Sequence, residues 1–129
     1  MKAMCVTLSL ATCFVLLAGC SEKPKANFNL RPRRVTIITE PAGATVTQLR
    51  PLGQASVKLG LTPLRDQVVT VFTDIRMQHM PFREGQQLLQ HAGNLVVRIE
   101  KEGYQVYEGI HWTQPDEINE FKIELQPKP

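Results

Sequence analysis

The chain has 129 residues, with 43% hydrophobic and 21% charged side chains and a formal net charge of +3. This length supports one domain with a small hydrophobic core. The charge balance excludes a strong acidic or basic field as the means of attracting partners.

The first 20 residues have the order of a secretory signal. Lys2 supplies a positive charge and residues 6–18 are mainly apolar, whereas a membrane span needs about 20 apolar residues. Residues 17–20 read LAGC and resemble the lipobox of bacterial lipoproteins, in which the cysteine is lipidated and becomes the first mature residue. The resemblance implies a signal peptide at residues 1–19 and acyl chains such as palmitate on Cys20.

The same resemblance predicts where the protein lies. Cys5 and Cys13 fall in the removed segment, so the mature chain has one cysteine and forms no internal disulfide. Ser21 follows the lipidated position, and under enterobacterial sorting rules the lack of Asp there favours the outer membrane. We therefore expect an envelope lipoprotein anchored at the periplasmic face of the outer membrane.

A basic segment follows the cysteine. Residues 20–34 contain two prolines and few apolar residues, which predicts an extended linker that reaches at most roughly 45–50 Å. Its charges either contact anionic lipid or are simply solvated, and both interpretations stay open. The envelope location argues against nucleic acid as a partner. The basic residues are Lys23, Lys25, Arg31, Arg33 and Arg34.

From residue 35 onward, β-branched and alternating segments predict a mainly β domain. The turn after the first strand contains Pro41 and Gly43, and we predict a left-handed conformation for Gly43. Six or seven short strands at this spacing predict a small antiparallel β-sandwich. The predicted strands cover residues 35–39, 44–47, 57–61, 67–73, 95–100, 104–112 and 121–125.

Residues 74–93 interrupt the strand pattern as an insertion. Residues 83–91 predict a short helix that ends before Gly93. Its apolar side chains favour either an appendage that contacts a partner protein or a helix and loop that cap one end of the sandwich. The candidate partner contacts are Met77, Met80, Phe82, Leu88 and Leu89.

Three motifs in the β region resemble the PEGA domain family. Residues 40–44 read EPAGA, residues 60–64 read GLTPL and residues 101–104 read KEGY, in family order. The resemblance covers residues 35–126 and implies a β-sandwich of the carboxypeptidase-regulatory type, which serves as a binding or spacer module rather than as an enzyme. Two connections, residues 49–58 and 65–94, are longer than is usual in the family.

The polar residues do not form a recognisable catalytic or metal motif. His79, His91 and His111 lack metal-ligand spacing, and neither a nucleophile elbow nor a phosphate loop is present in the sequence. We therefore expect no enzymatic activity, no metal and no cofactor.

Three aromatic residues near the end of the chain have two possible uses. Tyr104, Tyr107 and Trp112 either stack on sugar rings or fill the core. Tyr104 and Tyr107 have opposite parity on a regular strand, so at most one of them lies on any single face. The sequence thus predicts a non-catalytic protein-binding or scaffold module, with envelope polysaccharide or peptidoglycan binding as the alternative.

Overall fold

Seven strands and one helix follow one another along residues 23–129, which are the part of the chain that the computed structural model describes. The predicted signal peptide at residues 1–19 and the lipidation of Cys20 lie outside the described residues. The mainly β composition predicted from the sequence is confirmed. The strands are β1 (Lys25–Glu40), β2 (Thr45–Gln48), β3 (Val57–Leu61), β4 (Leu64–Gln78), β5 (Asn94–Glu100), β6 (Tyr107–Trp112) and β7 (Ile118–Glu124), and the helix α1 (Phe82–Gln90) lies between β4 and β5.

The strands form two sheets. One has the order β4-β1-β7 and the other has the order β3-β2-β5-β6. The pairing of β1 with β7 is parallel, so the prediction of a purely antiparallel arrangement is wrong at this pair. The chain leaves the second sheet after β6 and returns to the first at β7, and this crossover allows β7 to run in the same direction as β1.

The two sheets enclose one hydrophobic core. In β5 the side chains alternate strictly, with Leu95, Val97 and Ile99 buried while Arg98 and Glu100 are exposed. Strands of the other sheet face them with Val35, Ile37, Val69 and Ile123. The period of two that predicted these strands therefore also identifies their buried faces.

Strand β1 begins ten residues earlier than the sequence predicts. The linker predicted for residues 20–34 is wrong for residues 25–34, which pair antiparallel with β4. The ring of Phe28 lies 4.6 Å from that of Phe72 in an edge-to-face contact, and this packing supports the extra strand length. Strand β7 pairs only from Arg34 onward, so the earlier part of β1 is a sheet edge. Its proline and basic residues are typical of edges that resist further pairing.

The turn after β1 has the predicted conformation at Gly43. Its φ is +87°, in the left-handed region that favours glycine, which confirms the prediction. The Gly43 amide donates to the Thr62 carbonyl at 3.0 Å, and the Ala44 amide donates to the Thr62 hydroxyl at 3.0 Å. Two of the motif segments, residues 40–44 and 60–64, thus meet at this turn. The Glu40–Pro41 and Thr62–Pro63 peptide bonds are both cis.

Helix α1 packs along β4 and is part of the domain. The helix predicted over residues 83–91 is observed as Phe82–Gln90, and Leu88 in it has no exposed surface. Residues 74–78, which the sequence assigns to the insertion, complete β4, and residues 76–78 pair with β1. The Gly93 amide then donates to the Phe72 carbonyl at 2.7 Å. Within residues 23–129, no helix has the length and apolar character needed to cross a membrane.

Candidate functional site

A groove of about 650 Å³ separates the β2–β3 loop from α1 and opens onto β6. Its apolar surface comes largely from Val96 and Ile110 on β5 and β6 and from Leu49 and Leu52 in the loop. A smaller hollow of about 400 Å³ adjoins it and shares the loop wall. We call this cleft the loop–helix groove. Its polar lining side chains are Arg50, Gln87, Gln90, His91 and Glu108.

The loop wall is held by hydrogen bonds to both sheets. The Leu49 amide donates to the Val96 carbonyl at 2.8 Å, and the Arg50 guanidinium donates to the Thr70 hydroxyl at 3.1 Å. Leu52 and Gly53 have φ values of +60° and +69°, so the chain turns sharply at the groove's edge. The long connection noted in the sequence at residues 49–58 therefore forms one wall of the groove.

The helical wall is held by contacts with β4. The ring of His91 meets that of Phe72 edge-on, with centroids 6.2 Å apart. Partial burial lowers the pKa of His91, so the imidazole tends to stay neutral. Gln87 and Gln90 lie on the exposed part of the helix, where their amides can both donate and accept hydrogen bonds.

The two charged side chains of the groove, Glu108 and Arg50, differ in how far their polar atoms are already paired within the protein. Glu108 is already paired, with its Oε1 at 2.9 Å from Arg98 Nε and 2.8 Å from Arg98 Nη2. Arg50 uses one nitrogen on Thr70, and its buried Nε finds no hydrogen-bond partner among residues 23–129. This combination of an apolar base with amide and guanidinium donors suits binding of a ligand that has both apolar and polar groups.

In the described part of the chain, no three His, Cys, Asp or Glu side chains group together in a way that could hold a metal ion. His111 lies away from the groove, where its Nε2 is 2.9 Å from the Tyr107 hydroxyl and its ring is 4.7 Å from that of Phe121. Burial lowers the pKa of His111 and raises the pKa of Tyr107.

The five predicted partner contacts do not form one surface. Leu88 is fully buried, so its assignment as a partner contact is wrong. Met77 and Met80 are half-buried beside the helix. Met77 Sδ lies 3.5 Å, and Met80 Cγ lies 3.6 Å, from the position that a Cβ would take on Gly85. Phe82 and Leu89 remain exposed, at 80% and 46%. Of the five, Phe82 therefore presents most of its surface to another molecule, and Leu89 presents nearly half.

The three predicted sugar-contacting aromatics are also divided. Tyr104 and Tyr107 are half-buried and pack against the core. Trp112 lies on the opposite face of β6, is 64% exposed, and covers Gly93 with its ring. Tyr107 and Trp112 therefore lie on opposite faces of β6, because residues 107 and 112 have opposite parity on one strand. Trp112 shares its face with Ile110 and so lies beside the loop–helix groove.

The sequence does not single out the groove residues. Arg50, Gln87, Gln90 and Ile110 belong to three separate elements, and none is part of a motif. The length of the β2–β3 connection was the one signal that pointed to this region.

Comparison with known proteins yields no relative. No protein family model, no curated protein and no solved structure matches this chain.

Proposed function

We propose that this chain is a lipid-anchored bacterial envelope protein of the PEGA type, whose β domain is a non-catalytic protein-binding or scaffold module. The LAGC sequence at residues 17–20 supports the anchor. The meeting of the turns at Gly43 and Thr62 supports the PEGA assignment, because the family motifs consist of turn residues. The loop–helix groove is the binding site in this proposal.

The observation that carries the proposal is the mixed chemistry of the groove. A peptide segment has side chains for the apolar surface at Val96 and Ile110, and it has backbone amides for Gln87 and Gln90. Strand β6 is the last strand of its sheet. An extended segment in the groove would therefore also find backbone groups of β6 with which to pair.

Site-specific crosslinking in intact cells tests this proposal. A photo-reactive amino acid replaces Gln87 in the groove, and in a control chain it replaces the exposed Lys122 on β7 of the other sheet. We expect a defined crosslinked protein from position 87 that is absent from position 122. Mass spectrometry of the crosslinked peptide then identifies the partner segment.

A matched pair of substitutions shows whether the groove makes the contact. Ile110 lines the groove and Ile118 lies on the other sheet, and both are 50% exposed. We expect Ile110→Asp to remove the crosslink and Ile118→Asp to keep it, because only the first puts a charge into the groove. Equal crosslinking by both variants would contradict the proposed site.

Glycan binding is the second candidate, and the exposure of Trp112 favours it. Aromatic rings suit the apolar faces of sugars, and the nearby Gln87 and Gln90 amides suit their hydroxyl groups. Sedimentation with purified peptidoglycan tests this alternative. Trp112→Ala should then release the protein, whereas Phe82→Ala, at another exposed aromatic, should not. Failure of the unsubstituted protein to sediment would eliminate this candidate.

A further inference from the structure

One end of the domain brings together the place where the chain enters it and the start of α1. Lys25, the first residue of β1, pairs with Gln78, the last residue of β4. Four residues later α1 begins at Phe82, and Gly85 in its first turn lies beside Met77 of β4. We call this region the entry end, defined by residues 23–27 of the chain start, residues 76–78 of β4 and residues 79–85.

The entry end combines an exposed aromatic ring with basic charge. Phe82 is 80% exposed, the highest value among the large hydrophobic side chains of residues 23–129. Four exposed basic side chains belong to the entry end, whereas Glu84 is its one carboxylate and Asp74 lies just outside it. The Asp74 carboxylate accepts a hydrogen bond from Asn29 at 2.9 Å. The basic residues are Lys23, Lys25, Arg76 and Arg83.

Few residues separate Cys20 from the entry end. Because β1 starts at Lys25, the tether from Cys20 spans five residue steps and reaches at most roughly 18 Å, instead of the 45–50 Å predicted for a longer linker. The apolar residues 6–18 precede it directly. Attachment to a membrane through Cys20, or through the apolar segment itself, therefore holds the entry end close to the lipid surface.

We propose that the entry end rests on an anionic lipid surface, with Phe82 placed among the head groups and the four basic side chains facing lipid phosphates. Aromatic rings favour the boundary between head groups and acyl chains. Lys and Arg near such a surface are attracted by its negative potential, which acts over about a Debye length. This proposal rests on the envelope location proposed above and adds the orientation of the domain.

Tryptophan fluorescence in vesicles tests the orientation with the full chain. The protein has one tryptophan, Trp112, which lies on β6 away from the entry end. The unsubstituted protein and a Trp112→Phe/Phe82→Trp variant are purified from cell membranes and placed in vesicles of phosphatidylethanolamine and phosphatidylglycerol with brominated acyl chains. We expect bromine to quench the emission at position 82, and we expect the emission to lie at shorter wavelength because the head-group region is less polar than water. The emission of Trp112 should stay unchanged.

The outcomes separate this inference from the anchor. Flotation of the vesicles reports attachment, and the mass of the intact chain reports acylation. A chain that floats without quenching at position 82 overturns the orientation and leaves the anchor intact. Quenching in a chain without acyl mass supports the orientation and overturns lipidation. Equal quenching in vesicles that lack phosphatidylglycerol would overturn the role assigned to the basic side chains.

Discussion

Replacing Leu88 tests whether α1 is part of the core or an appendage. Leu88 is fully buried in the last turn of α1, whereas its neighbour Leu89 is 46% exposed. The two residues are adjacent leucines in the same helix. Leu88→Ala and Leu89→Ala are therefore matched perturbations that differ mainly in burial.

The expected effect of Leu88→Ala follows from the atoms that it removes. Leucine exceeds alanine by three carbons, and at about 0.8 kcal/mol each their transfer from water contributes about 2.4 kcal/mol. The cavity left behind adds to this, so we expect a loss of about 3–4 kcal/mol in the free energy of unfolding. Leu89→Ala removes carbons that are half in contact with water and leaves no closed cavity, so we expect a loss of about 1 kcal/mol or less.

Thermal unfolding followed by circular dichroism measures the difference. At about 4 °C per kcal/mol for a domain of this size, Leu88→Ala should lower Tm by about 12–16 °C and Leu89→Ala by about 4 °C or less. Similar, small shifts for both variants would refute the reasoning. They would mean that α1 is an appendage that the β-sandwich does not need.

Three further predictions concern the anchor, the first turn and the histidines. Cys20→Ala should leave unprocessed precursor and abolish labelling with radioactive fatty acid; normal labelling would rule out this acylation site. Gly43→Val should lower the free energy of unfolding by about 1 kcal/mol or more, because a β-branched residue is strained at the observed φ of +87°, and urea denaturation measures this loss. Burial lowers the pKa of His91 and His111 below the usual 6.5. Below that pH the unfolded chain therefore binds more protons than the folded chain. Through these two groups, the free energy of unfolding should be constant above about pH 7 and should fall on acidification below about pH 6.5. A chain with His111→Gln should show a weaker fall between pH 6.5 and 5, and an identical profile would assign the effect to other groups.

The strands that alternate strictly were predictable from the sequence. In β5 the inward set of Leu95, Val97 and Ile99 was visible as a period of two, and β7 shows the same pattern around Ile123. Gly43 was predictable because a turn between two strands needs a residue that tolerates positive φ. Each of these features depends on local chain chemistry, which a single sequence displays.

The first half of β1 was not predictable in the same way. Arg31, Pro32 and Arg33 are typical of a solvated linker, and they become a strand because β4 lies alongside them. The partner is some 40 residues away in the chain, and no local pattern records that pairing. The parallel alignment of β7 with β1 likewise depends on where the chain crosses between the sheets.

The groove could not be predicted from the sequence for a related reason. Its residues come from the β2–β3 loop, α1, β5 and β6, and their proximity is a result of packing. Within α1, Leu88 and Leu89 are adjacent and similar, so the sequence did not show which of them is buried. In the folded domain Leu88 is fully buried, whereas Leu89 is 46% exposed.

Helix α1 connects the two proposed contacts, so in the proposed orientation its length sets the distance between the groove and the lipid. The helix runs from Phe82 at the entry end toward His91, which packs on Phe72 deeper along β4. At 1.5 Å per residue, Gln87 and Gln90 lie about 8 and 12 Å along the helix from Phe82. With the entry end on the membrane, the groove opens only a short distance above the head groups. A ligand that is itself attached to the same membrane would therefore have a high effective concentration at the groove, whereas a freely diffusing ligand would not. From the two proposals together, we therefore expect membrane-attached partners to bind at the groove more readily than soluble ones.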